Sequence, residues 1–158
     1  MSKYVWRKRI FLTLTVLSIA FIFGQSILSR SASEQESGRI FRWLLSAISG
    51  LGLEPDPDAL HMFIRKAAHF AEFAVLGICA GGYALNLGYL HERLYVALPA
   101  WLTLLVAVCD EWIQSFSGRA SMVTDVMLDY AGALAGLLTV AVCVFVKNKI
   151  VRRTKHEN

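Results

Sequence analysis

Residues 67–87 read AAHFAEFAVLGICAGGYALNL, an apolar run that is long enough to cross about 30 Å of hydrocarbon as a helix. Comparable runs occupy 10–28, 94–113 and about 125–146. The 158-residue chain is 56% hydrophobic and 18% charged, with a mean hydropathy of +0.50, which is more apolar than a soluble domain. These features exclude a soluble Rossmann, barrel or kinase architecture. They predict an all-α, polytopic membrane protein: one domain, residues 1–158, built as a four-transmembrane-helix bundle.

The basic residues flank the apolar runs and therefore predict the orientation of the chain in an inner or plasma membrane. With the N-terminus inside, ten of the 16 Lys and Arg residues lie on the cytoplasmic side: Lys3, Arg7, Lys8, Arg9, Arg93, Lys147, Lys149, Arg152, Arg153 and Lys155. Both termini are then cytoplasmic, and 147–158 forms a basic tail. Because the net charge of +4 is explained in this way, no nucleic-acid partner is predicted.

A cleaved signal peptide is the alternative for 10–28, but Ser29-Arg30-Ser31 is a poor cleavage site.

The segment between the first two runs carries helix signals of its own. Ser33 and Glu36 have capping-box spacing, and apolar residues recur at helical period up to Ile48, which predicts a short external amphipathic helix in the outer interface. Asp56 followed by Pro57 is typical of a helix start, so the second transmembrane helix is expected over 57–87.

Ionisable and amide side chains interrupt the apolar runs, where each needs a partner or a function. The candidate polar site consists of Arg65, Lys66, His69, Glu72, Asp110, Glu111, Gln114, Arg119, Asp125 and Asp129, with Gln25 as a further neighbour. In the predicted topology the helices alternate in direction, so all these residues lie at one depth in the outer leaflet. This shared depth on three helices favours a functional site over isolated polar residues.

Two small-residue motifs predict that helices approach closely near this site. Gly77 and Gly81 form one GxxxG motif, and Gly132 and Gly136 form another. The second shares a helix face with Asp125 and Asp129. That face is therefore expected to point into the bundle.

Charge indicates what the site can bind. Five carboxylates accompany three cations, so the net charge is −2 with His69 neutral. Such crowding either keeps one carboxylate protonated, as a general acid, or recruits a divalent cation. The candidate ligands of such a cation are His69, Glu72, Asp110, Glu111 and Asp125. No other cofactor is predicted. Arg119, with Arg65 and Lys66, is the candidate partner of an anionic headgroup.

The polar residues also carry a family resemblance that extends over nearly the whole chain in order. Its elements are RKAAHFAEF at 65–73, DExxQxF at 110–116, Gly118-Arg119, Asp125 and the small-residue run 132–136. In these positions the chain resembles the VanZ-like family, named for the teicoplanin-resistance protein VanZ. The family usually has Asn where this chain has Asp129. The resemblance implies a small multi-helix membrane protein of the cell envelope linked to glycopeptide resistance, and it implies no biochemical activity.

Three interpretations follow from the sequence. The first is a protein that recognises a membrane lipid or an anionic lipid-linked envelope precursor. The second is a membrane-embedded hydrolase or transferase, metal-dependent or not, that acts on a lipid headgroup, with Glu72 or Glu111 as acid or base. The third is purely structural, because buried carboxylates paired with Lys and Arg also join helices. The sequence does not determine the oligomeric state.

Overall fold

Four long helices form the protein in the computed structural model, which describes residues 3–27, 41–43, 45–46, 48–50, 56–87, 94–116 and 122–156. In chain order they are α1 (Lys3–Ile27), α2 (Pro57–Leu85), α3 (Leu94–Phe116) and α4 (Val123–His156). The described residues contain no strand, so the predicted all-α class is confirmed.

The ends of α2 follow from local chemistry. Asp56 caps its N-terminus, where the carboxylate accepts a hydrogen bond from the Asp58 backbone N–H at 3.1 Å, and Pro57 occupies the first helical position as predicted. Asn86 caps the other end, since its side-chain amide donates to the Gly82 carbonyl at 2.7 Å. The helix is therefore closed by polar side chains at both ends.

Two other helices, α1 and α4, extend beyond the apolar runs from which they were predicted. Helix α1 already begins at Lys3, and α4 continues through the basic segment to His156. Residues 147–156 include neither Gly nor Pro, and Lys and Arg are good helix formers, so charge ends the apolar run without ending the helix. The segment predicted as a basic tail is thus helical as far as His156.

Three helical segments are long and apolar enough to cross a membrane, judged over the described residues: Val5–Ile27, Pro57–Leu85 and Val123–Ile150. Helix α3 has 23 residues but carries Asp110 and Glu111 near its end. The prediction of a fourth span is therefore not established by length and composition. Most of the predicted external amphipathic helix lies outside the described residues, although 41–43, 45–46 and 48–50 are helical.

Helices α2 and α4 run parallel and pack backbone against backbone. A Cβ atom added to Gly77 would meet the Ala133 carbonyl, and one added to Gly132 would meet the Phe70 carbonyl. No side chain larger than hydrogen fits at either contact. The close approach predicted from the two GxxxG motifs is confirmed.

The apolar core lies one helical turn from the polar residues on every helix. Its members are Ile22 in α1, Phe73 and Leu76 in α2, Val106 and Ala107 in α3, and Ala133 in α4. Residues three or four apart lie on one helix face, so the core residues share faces with Ser26, His69, Asp110 and Asp129. An apolar layer thus supports a polar layer at the end of the bundle where α1 and α3 finish and α2 and α4 begin.

Candidate functional site

Asp110 is the most enclosed residue of the polar layer, with an exposed fraction of 0%. The Ser26 hydroxyl donates to its Oδ1 atom, and the Gln114 side-chain amide donates to Oδ2 at 2.7 Å. A buried carboxylate needs such donors to replace water. The two bonds hold the carboxylate of α3 in one orientation against α1.

Asp129 is almost as deeply buried as Asp110 but lacks hydrogen-bond donors in the described part of the chain. Its side chain is 1% exposed, and neither carboxylate oxygen accepts a hydrogen bond from any described residue. Nδ1 of His69 lies 3.7 Å from Oδ1 of Asp129, which is too long for a hydrogen bond. The side chains of His69, Asp110 and Asp129 each present a ligand atom, and these atoms lie within 4.8 Å of one another.

Two further contacts surround this centre. Lys66 Nζ lies 3.4 Å from Asp125 Oδ1, and the Lys66 side chain is 38% exposed. Glu111 is buried and accepts a hydrogen bond from the Met122 backbone N–H at 3.1 Å. The contact between Glu111 and Met122 fixes the start of α4 to the end of α3. The contact between Lys66 and Asp125 leaves a cation at the accessible edge of the site.

Glu72 is on the α1 side of the centre. It contributes to the wall of an open groove of about 290 Å³ between α1 and α2, which is otherwise lined mainly by apolar side chains. The other lining residues are Leu14, Leu17, Ser18, Phe21, Ile22 and Val75. The Glu72 side chain is thus half-buried beside an apolar surface that can contact a hydrocarbon chain.

Most residues predicted from the sequence do meet. Those with contacts in the polar layer are Lys66, His69, Asp110, Glu111, Gln114, Asp125 and Asp129. Arg65 is half-buried near the start of α2, and Arg119 lies outside the described residues.

Two features of the site differ from the prediction. Gln25 was the predicted neighbour from α1, but the adjacent Ser26 makes the contact with Asp110. Asp129 was not among the predicted metal ligands, although it lies with His69 and Asp110. A signal for Asp129 was present, because it lies four residues after Asp125 on the glycine-bearing face of α4.

The arranged side chains can bind a cation, exchange protons and contact an anion. Two buried carboxylates and one imidazole can bind a divalent cation or exchange protons. The exposed Lys66 ammonium can contact an anion at the edge. The groove beside Glu72 offers apolar surface to a hydrocarbon chain.

The fold and the site together define a helical membrane protein with a polar centre enclosed by its helices. A family model described as VanZ/LLP1 matches residues 10–145, and the chain belongs to that family. The resemblance found in the sequence is thereby confirmed. Searches of curated proteins and of solved structures found no match.

Proposed function

We propose that this protein binds the anionic headgroup of a membrane lipid or lipid-linked envelope precursor at the outer face of the plasma membrane. One observation carries the proposal: polar side chains from all four helices converge at one end of a bundle whose exterior is apolar. Polar groups inside a membrane are expensive and are usually retained for a function.

The position of the site in the membrane follows from two arguments. Helix α3 exposes Trp101 at 72% and Leu105 at 60%, which favours contact with lipid and hence a fourth span. The distribution of Lys and Arg favours cytoplasmic termini. With four spans and this orientation, the ends of α1 and α3 and the starts of α2 and α4 lie outward, and the polar layer lies with them.

The headgroup contacts are assigned to the basic edge of the site. Lys66 is partly exposed and forms an ion pair with Asp125. An incoming phosphate oxygen can therefore approach the ammonium from outside. Arg65 adjoins it in sequence, and Arg119 lies in the segment between α3 and α4. Guanidinium groups bind phosphate through two parallel hydrogen bonds.

The groove between α1 and α2 is assigned to the hydrocarbon chain of the same lipid. Leu17, Phe21 and Val75 are each more than half exposed, so the groove opens towards the surrounding lipid. Glu72 in its wall brings the groove next to the polar layer. A lipid with its chain in the groove can therefore place its headgroup at the site.

The test is native mass spectrometry of the detergent-purified protein with a polyprenyl monophosphate, phosphatidylglycerol or phosphatidylcholine. We expect retention of an anionic probe by the wild type and a loss of about tenfold or more in Lys66→Gln, because each charge-assisted contact contributes about 1.5–3 kcal/mol. The control is Lys147→Gln, which removes the same charge from an exposed position far along α4. Equal retention of all three lipids, or equal loss in both variants, would contradict the proposal.

An enzymatic function is the second candidate, and the grouping of His69, Asp110 and Asp129 favours it because a divalent cation suits phosphate chemistry. The test is release of a headgroup product from a labelled lipid probe. Product formation that disappears in Asp110→Asn would support a hydrolase or transferase. Retention of the intact lipid over many hours would leave binding as the activity.

The resemblance to VanZ adds a cellular expectation. If the site acts on an envelope precursor, production of the protein in a glycopeptide-sensitive bacterium should raise the inhibitory concentration of teicoplanin. Lys66→Gln at equal expression should not. An unchanged inhibitory concentration with the wild type would remove the link to resistance.

A further inference from the structure

We propose that His69, Asp110 and Asp129 form a binding site for one divalent metal ion. The observation that points to a ligand is Asp129, whose side chain is 1% exposed and whose two oxygens receive no hydrogen bond from the described residues. It faces the same small volume as the ligand atoms of His69 and Asp110. A carboxylate in this environment is strongly unfavourable unless something positive compensates it.

A divalent ion fits the charge of this group. Two carboxylates and a neutral imidazole sum to −2, which a divalent cation neutralises. A single proton would neutralise only one of the two carboxylates. The Lys66 ammonium is engaged by Asp125.

The geometry also fits. Ligands bound at about 2.0–2.2 Å lie roughly 3–4 Å from one another around an ion, so the observed grouping within 4.8 Å needs a contraction of at most about 1–2 Å. The three ligands come from α2, α3 and α4, so binding an ion would join these helices. Imidazole nitrogen suits Zn²⁺ and Fe²⁺, and carboxylate oxygen suits Mn²⁺, so this mixed ligand set favours an ion of that group.

The surroundings of Asp110 resemble those of a metal ligand. Ligating carboxylates are usually held by outer hydrogen bonds, and Asp110 accepts one from Ser26 and one from Gln114. The other predicted ligands have different roles: Glu111 receives the Met122 N–H and Asp125 faces Lys66. Asp129, which was not a predicted ligand, therefore joins His69 and Asp110 in the proposed ligand set.

Three protein ligands leave a coordination position open, as in metal sites that bind a substrate or water. A phosphate oxygen of the lipid headgroup can occupy it, which would explain how a site rich in carboxylates accepts an anion. This assignment of the open position rests on the proposed function. The metal site itself does not.

The experiment uses the full-length protein in detergent, stripped with a chelator and without added lipid. Co²⁺ is titrated and followed by its visible absorption, with Zn²⁺ as competitor, and bound metal is quantified by mass spectrometry. We expect one ion per chain in the wild type and a loss of affinity of about 100-fold or more in Asp129→Asn. The matched control is Asp58→Asn, which removes the same charge from an exposed position in the first turn of α2 and should change the affinity by less than about twofold.

Several results would overturn the metal site. These are no uptake of Co²⁺ or Zn²⁺ by the wild type below millimolar concentration, equal losses in the two Asp variants, or an unchanged Co²⁺ spectrum in His69→Gln. The His69 variant keeps the proposal testable if Asp129→Asn fails to fold, because His69 is the less buried ligand.

The lipid assay separates this proposal from the proposed function. Metal uptake without retention of an anionic lipid supports the metal site and refutes headgroup binding. Retention of lipid by a protein that takes up no metal refutes the metal site alone.

Discussion

Replacing Gly136 with alanine should loosen the contact between α2 and α4. A Cβ atom at this position would meet the carbonyl oxygen of Ala74 and lie 2.9 Å from the backbone nitrogen of Ile78. Both are backbone atoms of the facing helix and cannot rotate away as a side chain does. The two helices must therefore separate, since an ordinary contact begins near 3.4 Å.

The magnitude follows from two opposing effects. Overpacking of a tightly packed contact costs about 1–3 kcal/mol. In an unconstrained helix the same change to alanine stabilises by up to about 1 kcal/mol. Gly24 in α1 provides the matched control, because a Cβ atom there has no described heavy atom within 4 Å. Because the gain from alanine is common to both variants, their free energies of unfolding should differ by the packing cost alone, roughly 1–3 kcal/mol.

The assay is unfolding of the purified protein in mixed micelles as the fraction of sodium dodecyl sulfate rises, followed by circular dichroism. Gly136→Ala should unfold at a lower fraction than the wild type, and Gly24→Ala at the same or a higher one. Separation of α2 and α4 should also weaken the group formed by His69 and Asp129, which lie on those helices. If Gly136→Ala is as stable as Gly24→Ala, the backbone contact does not hold the helices together.

Three further changes test the site. Ser26→Ala removes a hydrogen-bond donor from buried Asp110 and should lower the free energy of unfolding by about 1–3 kcal/mol. The control is Thr139→Ala, which should be nearly neutral in the same micelle titration because the Thr139 hydroxyl is exposed and bonds within its own helix. At alkaline pH, where the side chain carries its charge, Asp129→Asn should raise the stability of the metal-free protein by on the order of 1 kcal/mol, because it removes an uncompensated buried charge. A clear loss of stability would show that the charge has a partner. Val75→Trp should fill the groove and reduce retention of the lipid probe in native mass spectrometry while metal uptake stays at the wild-type level; unchanged retention would exclude the groove.

Local signals in the sequence predicted most of the helical framework. The Asp56-Pro57 pair marks the start of α2, because a cap and a proline act within one turn of the chain. The apolar runs located all four helices, since helix length and lipid contact are properties of consecutive residues. The same signals misjudged the start of α1 and the end of α4, because a change from apolar to basic residues marks the membrane boundary and not the end of a helix.

The composition of the polar layer was also predictable to a large extent. Alternating helix directions bring the relevant ends together, so residues such as Asp110 and His69 were expected at one level. The GxxxG pairs indicated which face of α4 turns inward, and the contact of Gly132 with Phe70 confirms it.

The sequence by itself therefore determined the course of the helices, their apolar character and most of the polar residues that lie together in the described part of the chain. Only the tertiary structure decided the individual partners: Ser26 for Asp110, Lys66 for Asp125, and Asp129 as the carboxylate beside His69. Helical periodicity places a side chain on an arc of the helix, but neighbouring residues on that arc compete for the same contact. The rotation and separation of the helices select among them. Those quantities depend on packing between distant segments, above all the glycine contacts of α2 with α4.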